Sequence, residues 1–276
     1  MTPAQLSRTV LRTVRRVAGD GALGELSPGA LEALDGLPER ITVGRPPRPG
    51  CGDYATNAAL RLAVATGRPA RSVAEVLRER LVREEGIAEV AVAGPGFLNI
   101  TVAGGARAEL VEALTAREGE YAVAPRTDPA RDVLNWAAAT GGEPGPELLE
   151  QRESNPLFLA QYAHSRARAL LRGARALGFA PEAGAGGYAY DAPRETELLG
   201  ALAEYERIAA PGDPGRLARH LGTVADGLLG IHASVLPVGE RKPLAAHRAR
   251  LALAQAAGTV LAGGLSRLGV TAPVHL

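Results

Sequence analysis

Five histidines and one cysteine are the residues with which this chain could do metal or nucleophilic chemistry, and their spacing assembles neither. His164, His220, His232, His247 and His275 have no second ligand one helical turn away, so surface or capping positions are the expectation for them. Cys51 lies between two glycines with no G-x-S-x-G elbow in the chain. A lone cysteine also excludes an internal disulfide and any multi-cysteine metal site. Gly94-Pro95-Gly96 has the composition of a phosphate cradle, but it lies between two strand-like runs with no lysine and no following helix, so a tight turn is expected. No catalytic residue, metal ligand or cofactor site is expected.

Arginine is the remaining chemical bias. Lys242 is the only lysine, so thirty of the 31 basic residues are arginine, which contacts phosphate bidentately and stacks on bases. Thirty acidic residues leave a net charge of +1, which excludes binding by bulk charge. Any nucleic-acid surface must be a local patch. With 46% hydrophobic and 22% charged residues, the 276-residue chain suits one or two globular domains. No run approaches the roughly eighteen apolar residues of a membrane span, so no membrane partner is expected. The single cysteine makes the cytoplasm the expected compartment.

Positioning begins with an acid-free N-terminus in which Leu6, Val10, Leu11, Val14 and Val17 recur at helical spacing; an amphipathic helix over 3–18 is favoured over a transit peptide. A second helix over 27–36, a short β-branched run Ile41–Val43, helices from about 56 to 65 and 71 to 83, and strands over 87–92 and 97–102 complete a small α+β domain, from which a helix at 106–117 leaves. Residues 119–146 are rich in Pro and Gly and read as a connector with one docked helix around Trp136. Helices over 156–177, 194–209, 214–236 and 243–268 then form an all-α bundle, with Asp191 and Asp213 placed as caps. The domains expected are 1–118, a connector 119–146, and 147–276, without a Rossmann domain.

Two segments carry a resemblance. Cys51-Gly52-Asp53-Tyr54-Ala55-Thr56-Asn57-Ala58-Ala59-Leu60, followed by Ala93-Gly94-Pro95-Gly96-Phe97-Leu98-Asn99-Ile100, resembles the N-terminal additional domain of arginyl-tRNA synthetases. Leu149-Glu150-Gln151 with Asn155 to Arg166, and the ending Leu265 to Leu276, resemble that family's DALR-type anticodon-binding domain. Residues 131–139 resemble the last helix of its catalytic domain. The family's ATP- and arginine-binding domain, with its H-x-G-H and K-M-S-K-S motifs, would lie between these segments, and neither motif occurs in the chain.

The resemblance implies a non-catalytic tRNA-binding paralogue that contacts the tRNA elbow and the anticodon arm, with an arginine tRNA as one candidate. On the elbow side it implies Phe97 and Asn99, where an aromatic face and an amide suit an unpaired base; a core role for Phe97 stays open. Asp53, Tyr54 and Asn57 belong to the same implied site, although a structural role is favoured for them, with Asp53 or Thr56 as a cap. On the anticodon side it implies Gln161, Tyr162, Arg166, Arg172 and the terminal Leu276, with Arg166, Arg168, Arg172 and Arg175 as a basic flank. Two departures weaken base readout: Leu159 stands where an aromatic is usual, and His232-Ala233-Ser234 replaces an F-Y-N run. The alternatives are an interaction scaffold with decayed tRNA surfaces and an accessory subunit of a tRNA-modifying or tRNA-dependent enzyme held on a separate chain.

Overall fold

A computed structural model describes residues 3–24, 41–44, 46, 48, 51–210, 212–239 and 242–276; the helix expected over 27–36 lies outside them. Contacts divide the chain into two units, Met1–Ala106 and Arg107–Leu276. The connector therefore belongs to the helical unit.

The first unit contains α1 (Pro3–Gly19), β1 (Val43–Gly44), β2 (Tyr54–Thr56), α2 (Ala58–Thr66), α3 (Ala70–Leu81), β3 (Ile87–Ala93) and β4 (Phe97–Val102). Helix α1 buries Leu6, Val10, Val14 and Val17 and packs on α3. Its outer Arg12 and Arg16 both reach Glu84, at 2.6 and 3.0 Å. The strands form one antiparallel sheet in the order β1-β2-β4-β3. Strand alternation sends Leu98, Ile100 and Val102 of β4 into the core. The turn at Gly94-Pro95-Gly96 is the expected tight turn, with positive φ at both glycines.

The motif from Cys51 to Leu60 is explained by backbone stitching. Gly52 adopts φ 94°, and a Cβ there would stand 3.0 Å from the Ile100 carbonyl oxygen. That close approach lets the Asp53 N–H donate to Ile100 O at 2.9 Å while Asp53 Oδ2 accepts from Val102 N at 2.9 Å. Asn57 Oδ1 accepts from Thr42 N at 2.8 Å, tying the approach to β1. Neither capping candidate stands at the cap position of α2, which falls on Asn57; the Thr56 hydroxyl, one residue earlier, accepts from Ala58 N.

Helix α4 (Gly104–Thr115) runs into the second unit, which continues with α5 (Pro129–Thr140), α6 (Pro156–Ala176), α7 (Pro193–Ala209), α8 (Pro214–Ile231) and α9 (Ala245–Arg267). Helix α9 is buried on almost every side from Ala249 to Leu265, as befits the central helix of a bundle. Small residues let it approach its neighbours: a Cβ on Gly258 would lie 3.0 Å from that of Ala167 on α6. Asp213 caps α8 by accepting from Arg216 N at 2.8 Å, as its position suggests. Asp191 does not cap α7. That helix starts at Pro193, so the cap position falls on Ala192, one residue later. The helix expected to run to 236 ends at Ile231 and continues as a single 3-10 turn over 232–234.

A seam joins α5, α6 and the C-terminal tail. Asp132, 1% exposed, accepts from Thr271 N at 2.8 Å, from the Thr271 hydroxyl, and from Gln161 Nε2 at 2.8 Å. The tail also exchanges backbone hydrogen bonds with Ala124, which donates to Ala272 O at 2.9 Å and accepts from Val274 N at 2.8 Å. Removing the carboxylate leaves several buried donors without a partner. Asp132→Ala is expected to lower stability in urea denaturation by about 3–5 kcal/mol. Leu134→Ala on the exposed face of the same helix is expected to change it by less than about 0.5 kcal/mol. Equal melts for the two variants would remove the seam from the account.

Candidate nucleic-acid interface

In the first unit, the same alternation that buries Leu98 and Ile100 turns Phe97, Asn99 and Thr101 to the open face of the sheet. Phe97 is 43% exposed, which answers the open question of its placement: the ring is not core. Its cross-strand partner is Ala93, and Asn99 is flanked by Ala55 and Ala91. Partners in register share a face, so the ring and the amide stand among methyl groups with room above them. Asn99 makes no side-chain hydrogen bond among the described residues. Asp53 and Asn57 spend carboxylate and amide oxygens on backbone, and Tyr54 is buried. Those three residues hold β4 and its neighbours in place rather than stand beside Phe97 on the open face.

In the second unit, α6 begins at Asn155, whose Oδ1 accepts from Leu157 N and Phe158 N while its amide donates to Leu148 O and Glu150 O. Pro156 at the first helical position pre-sets φ. The helix then sorts its residues by angle. Gln161 points inward, 5% exposed, with its amide held by Asp132 and by Thr271 O at 3.1 Å. It is a structural residue and not part of an outward face. Tyr162 is half-buried and stacks on Phe158, with ring centroids 5.4 Å apart and planes 16° apart. Phe158 is not among the residues that the resemblance implies; its i, i+4 spacing to Tyr162 is the signal in the sequence that pairs the two rings.

Arg166 follows one turn after Tyr162. It makes no ion pair or hydrogen bond among the described residues, and its Nε is shut off from water without a partner. Phe158, Tyr162 and Arg166 thus form a stripe of two stacked rings and an unpaired guanidinium. The four arginines do not form one flank, because residues two apart on a helix lie on opposite sides. Arg168 pairs with Glu118, and Arg172 donates to Val274 O at 3.5 Å beside the tail that ends at the exposed Leu276.

Two histidines depart from the surface expectation. His220 is buried, and His164 is 1% exposed, its Nδ1 donating to Pro273 O at 2.8 Å. His247 is a capping residue as expected, accepting from Leu244 N at 2.9 Å. Among the described residues no cluster of His, Cys, Asp or Glu could hold a metal ion, and no helix is long and apolar enough to cross a membrane.

A small antiparallel-sheet domain followed by a helical bundle, with no Rossmann-like fold among the described residues, defines a two-module class. Comparison with known proteins names the modules. Residues 21–102 match the arginyl tRNA synthetase N terminal domain, and residues 160–276 match the DALR anticodon binding domain. The chain is similar to the arginine–tRNA ligase of Frankia alni, with 39% identity over half of this chain and 23% of the relative. It is likewise similar to those of Kineococcus radiotolerans, 37% identical over 53% of this chain and 25% of the relative, and Renibacterium salmoninarum, 32% over 58% and 26%. The matched segments span about a quarter of these curated relatives. This is an arginyl-tRNA synthetase-like chain that carries the family's N-terminal and anticodon-binding domains without the catalytic domain, and those domains support a tRNA-binding role.

Burial holds His164 neutral, lowering its pKa from 6.5 to about 4; nearby Arg168 works in the same direction, against the Pro273 hydrogen bond and Glu118. Between those values the unfolded chain takes up a proton that the folded chain refuses. Stability is therefore expected to fall as pH drops below 6.5 and to level off near 4, by on the order of 3 kcal/mol. Urea melts from pH 7 to 4 read this, and His164→Phe should flatten the slope.

Proposed function

We propose that this chain is a non-catalytic tRNA-binding protein that meets the tRNA elbow with the open face of its sheet and the anticodon arm with the outer face of α6. The observation that carries the reading is that each unit presents aromatic surface beside an unengaged polar group: the exposed Phe97 with Asn99, and the half-buried, stacked pair Phe158–Tyr162 with Arg166. Stacked rings take unpaired bases, an amide reads a base edge, and a guanidinium without an acid partner takes a phosphate or a base. Two patches on one chain also gain avidity when both are engaged. Arginine tRNA is the first candidate ligand.

Binding of total tRNA followed by sequencing of the bound fraction tests the reading directly. Affinity is expected to fall with salt, log K dropping by about 0.7–0.9 per phosphate contact for each unit of log salt. Phe97→Ala and Tyr162→Ala are each expected to cost about 1–3 kcal/mol of affinity at unchanged melting temperature. Arg166→Ala should weaken different tRNAs equally if the guanidinium meets phosphate, and unequally if it meets a base. Absence of a salt slope, with variants that bind like the parent, would favour the scaffold alternative, to which the near-zero net charge and Leu159 already lean.

No adenylate chemistry is expected. Stabilising charge on an α-phosphate needs positioned donors or cations, and residues 103–159, between the two matched domains, carry neither H-x-G-H nor K-M-S-K-S. ATP–pyrophosphate exchange with arginine, with and without tRNA, should stay at background; clear exchange by the purified chain overturns the non-catalytic reading.

A further inference from the structure

Neither patch uses the cleft that opens between α6, α9 and the 118–123 segment. It encloses about 300 Å³, the lower end of the range for small-molecule sites. Small residues, Ala167 of α6 with Gly258 and Ala262 of α9, line it, and α6 and α9 come close together at Ala167 and Gly258. Its wall includes Tyr121, whose ring lies under the Arg117 guanidinium and whose hydroxyl accepts from it, so the aromatic is held in position.

The polar end of the cleft has a defined sense. A carbonyl can only accept, so the contact with Pro273 O fixes the proton of His164 on Nδ1 and leaves Nε2 as an acceptor. Nε2 has no partner among the described residues, although the ring is almost wholly buried and lines the cleft. Glu118 accepts from Arg168 and from the Gln255 amide, which leaves lone pairs on the carboxylate and unused N–H groups on the guanidinium. That ion pair cancels in charge, so the cleft suits a neutral ligand. An aromatic ring and small side chains in the lining, acceptors at the polar end and a spare guanidinium beside them describe a planar heterocycle bearing an amine and a ring acceptor.

We propose that this cleft binds an amino-bearing nucleobase, its exocyclic amine donating to His164 Nε2, either as a free nucleoside or as an unpaired residue of an RNA. The site does not depend on the tRNA surfaces of α6 and the sheet, and its failure is separable from theirs. Titration calorimetry of the full chain uses adenosine, inosine and purine riboside in one arm, and six-nucleotide A, C and U homopolymers in the other. Adenosine is expected to bind at least tenfold more tightly than inosine or purine riboside if the free nucleoside is the ligand. If an RNA residue is the ligand, the A and C oligomers should exceed U by the same factor. His164→Phe removes the acceptor and keeps a ring, and should abolish the preference. Val123→Trp alters only the half-exposed rim of the cleft, so it reads the site even where the histidine variant fails to fold, and should block binding. Phe158→Ala should leave the preference intact. No binding in either arm, equal binding of amino and amine-free probes, or indifference to Val123→Trp overturns the assignment.

Discussion

The buried carboxylate of Asp132 is the interaction on which the helical unit turns. A charge removed from water is tolerable only when hydrogen-bond donors converge on it, and here they come from two other segments: the Gln161 amide on α6, and the backbone and hydroxyl of Thr271 in the tail. Satisfying one acceptor therefore fixes the register of three pieces of chain that are far apart in sequence. Once Thr271 is fixed, Pro273 O lies where His164 can donate to it and Val274 O where Ser165 and Arg172 can. The inward face of α6 is thereby committed, and the rotation of the helix follows. Tyr162 and Arg166 are outside because Gln161, Ala163 and His164 are inside.

The sheet of the first unit obeys a comparable constraint made from backbone alone. Gly52 permits the chain to press against Ile100, and Asp53 then adds a side-chain acceptor for Val102 N. This fixes which face of β4 is covered. Leu98 and Ile100 carry the burial, and Phe97 and Asn99 are left on a surface of alanines. In both units, then, some residues of the recognisable motifs are spent on the scaffold, Asp53 and Asn57 in one and Gln161 in the other, while Asn99 and Arg166 of the same motifs have no such partner among the described residues.

A large aromatic left in water and a guanidinium left without an acid are each unfavourable for folding alone. Phe97 stands in that position in the first unit and Arg166 in the second, which is why the proposed recognition is placed on them. The cleft beside His164 follows the same logic on the opposite side of α6, where Arg168 is paired and the histidine acceptor is not.

The sequence by itself determined the order of elements and much of the scaffold. Period-two alternation located β3 and β4, the 3.6-residue apolar repeat located α1 and the bundle helices, and Pro and Gly punctuation located the Gly94–Gly96 turn, because these signals are local. It also carried the two domain resemblances. Only the tertiary structure decided which polar residues are spent and which are available. Gln161 and Arg166 look equally suited to RNA in a sequence, and Asp53 looks as free as Asn99. Their difference lies in partners far along the chain, Asp132 and Thr271 at 29 and 110 residues for one and Val102 at 49 for the other, and a hydrogen bond between distant segments leaves no periodic trace. The same reason hid His164: nothing near it in the chain announces that a tail carbonyl will fix its proton.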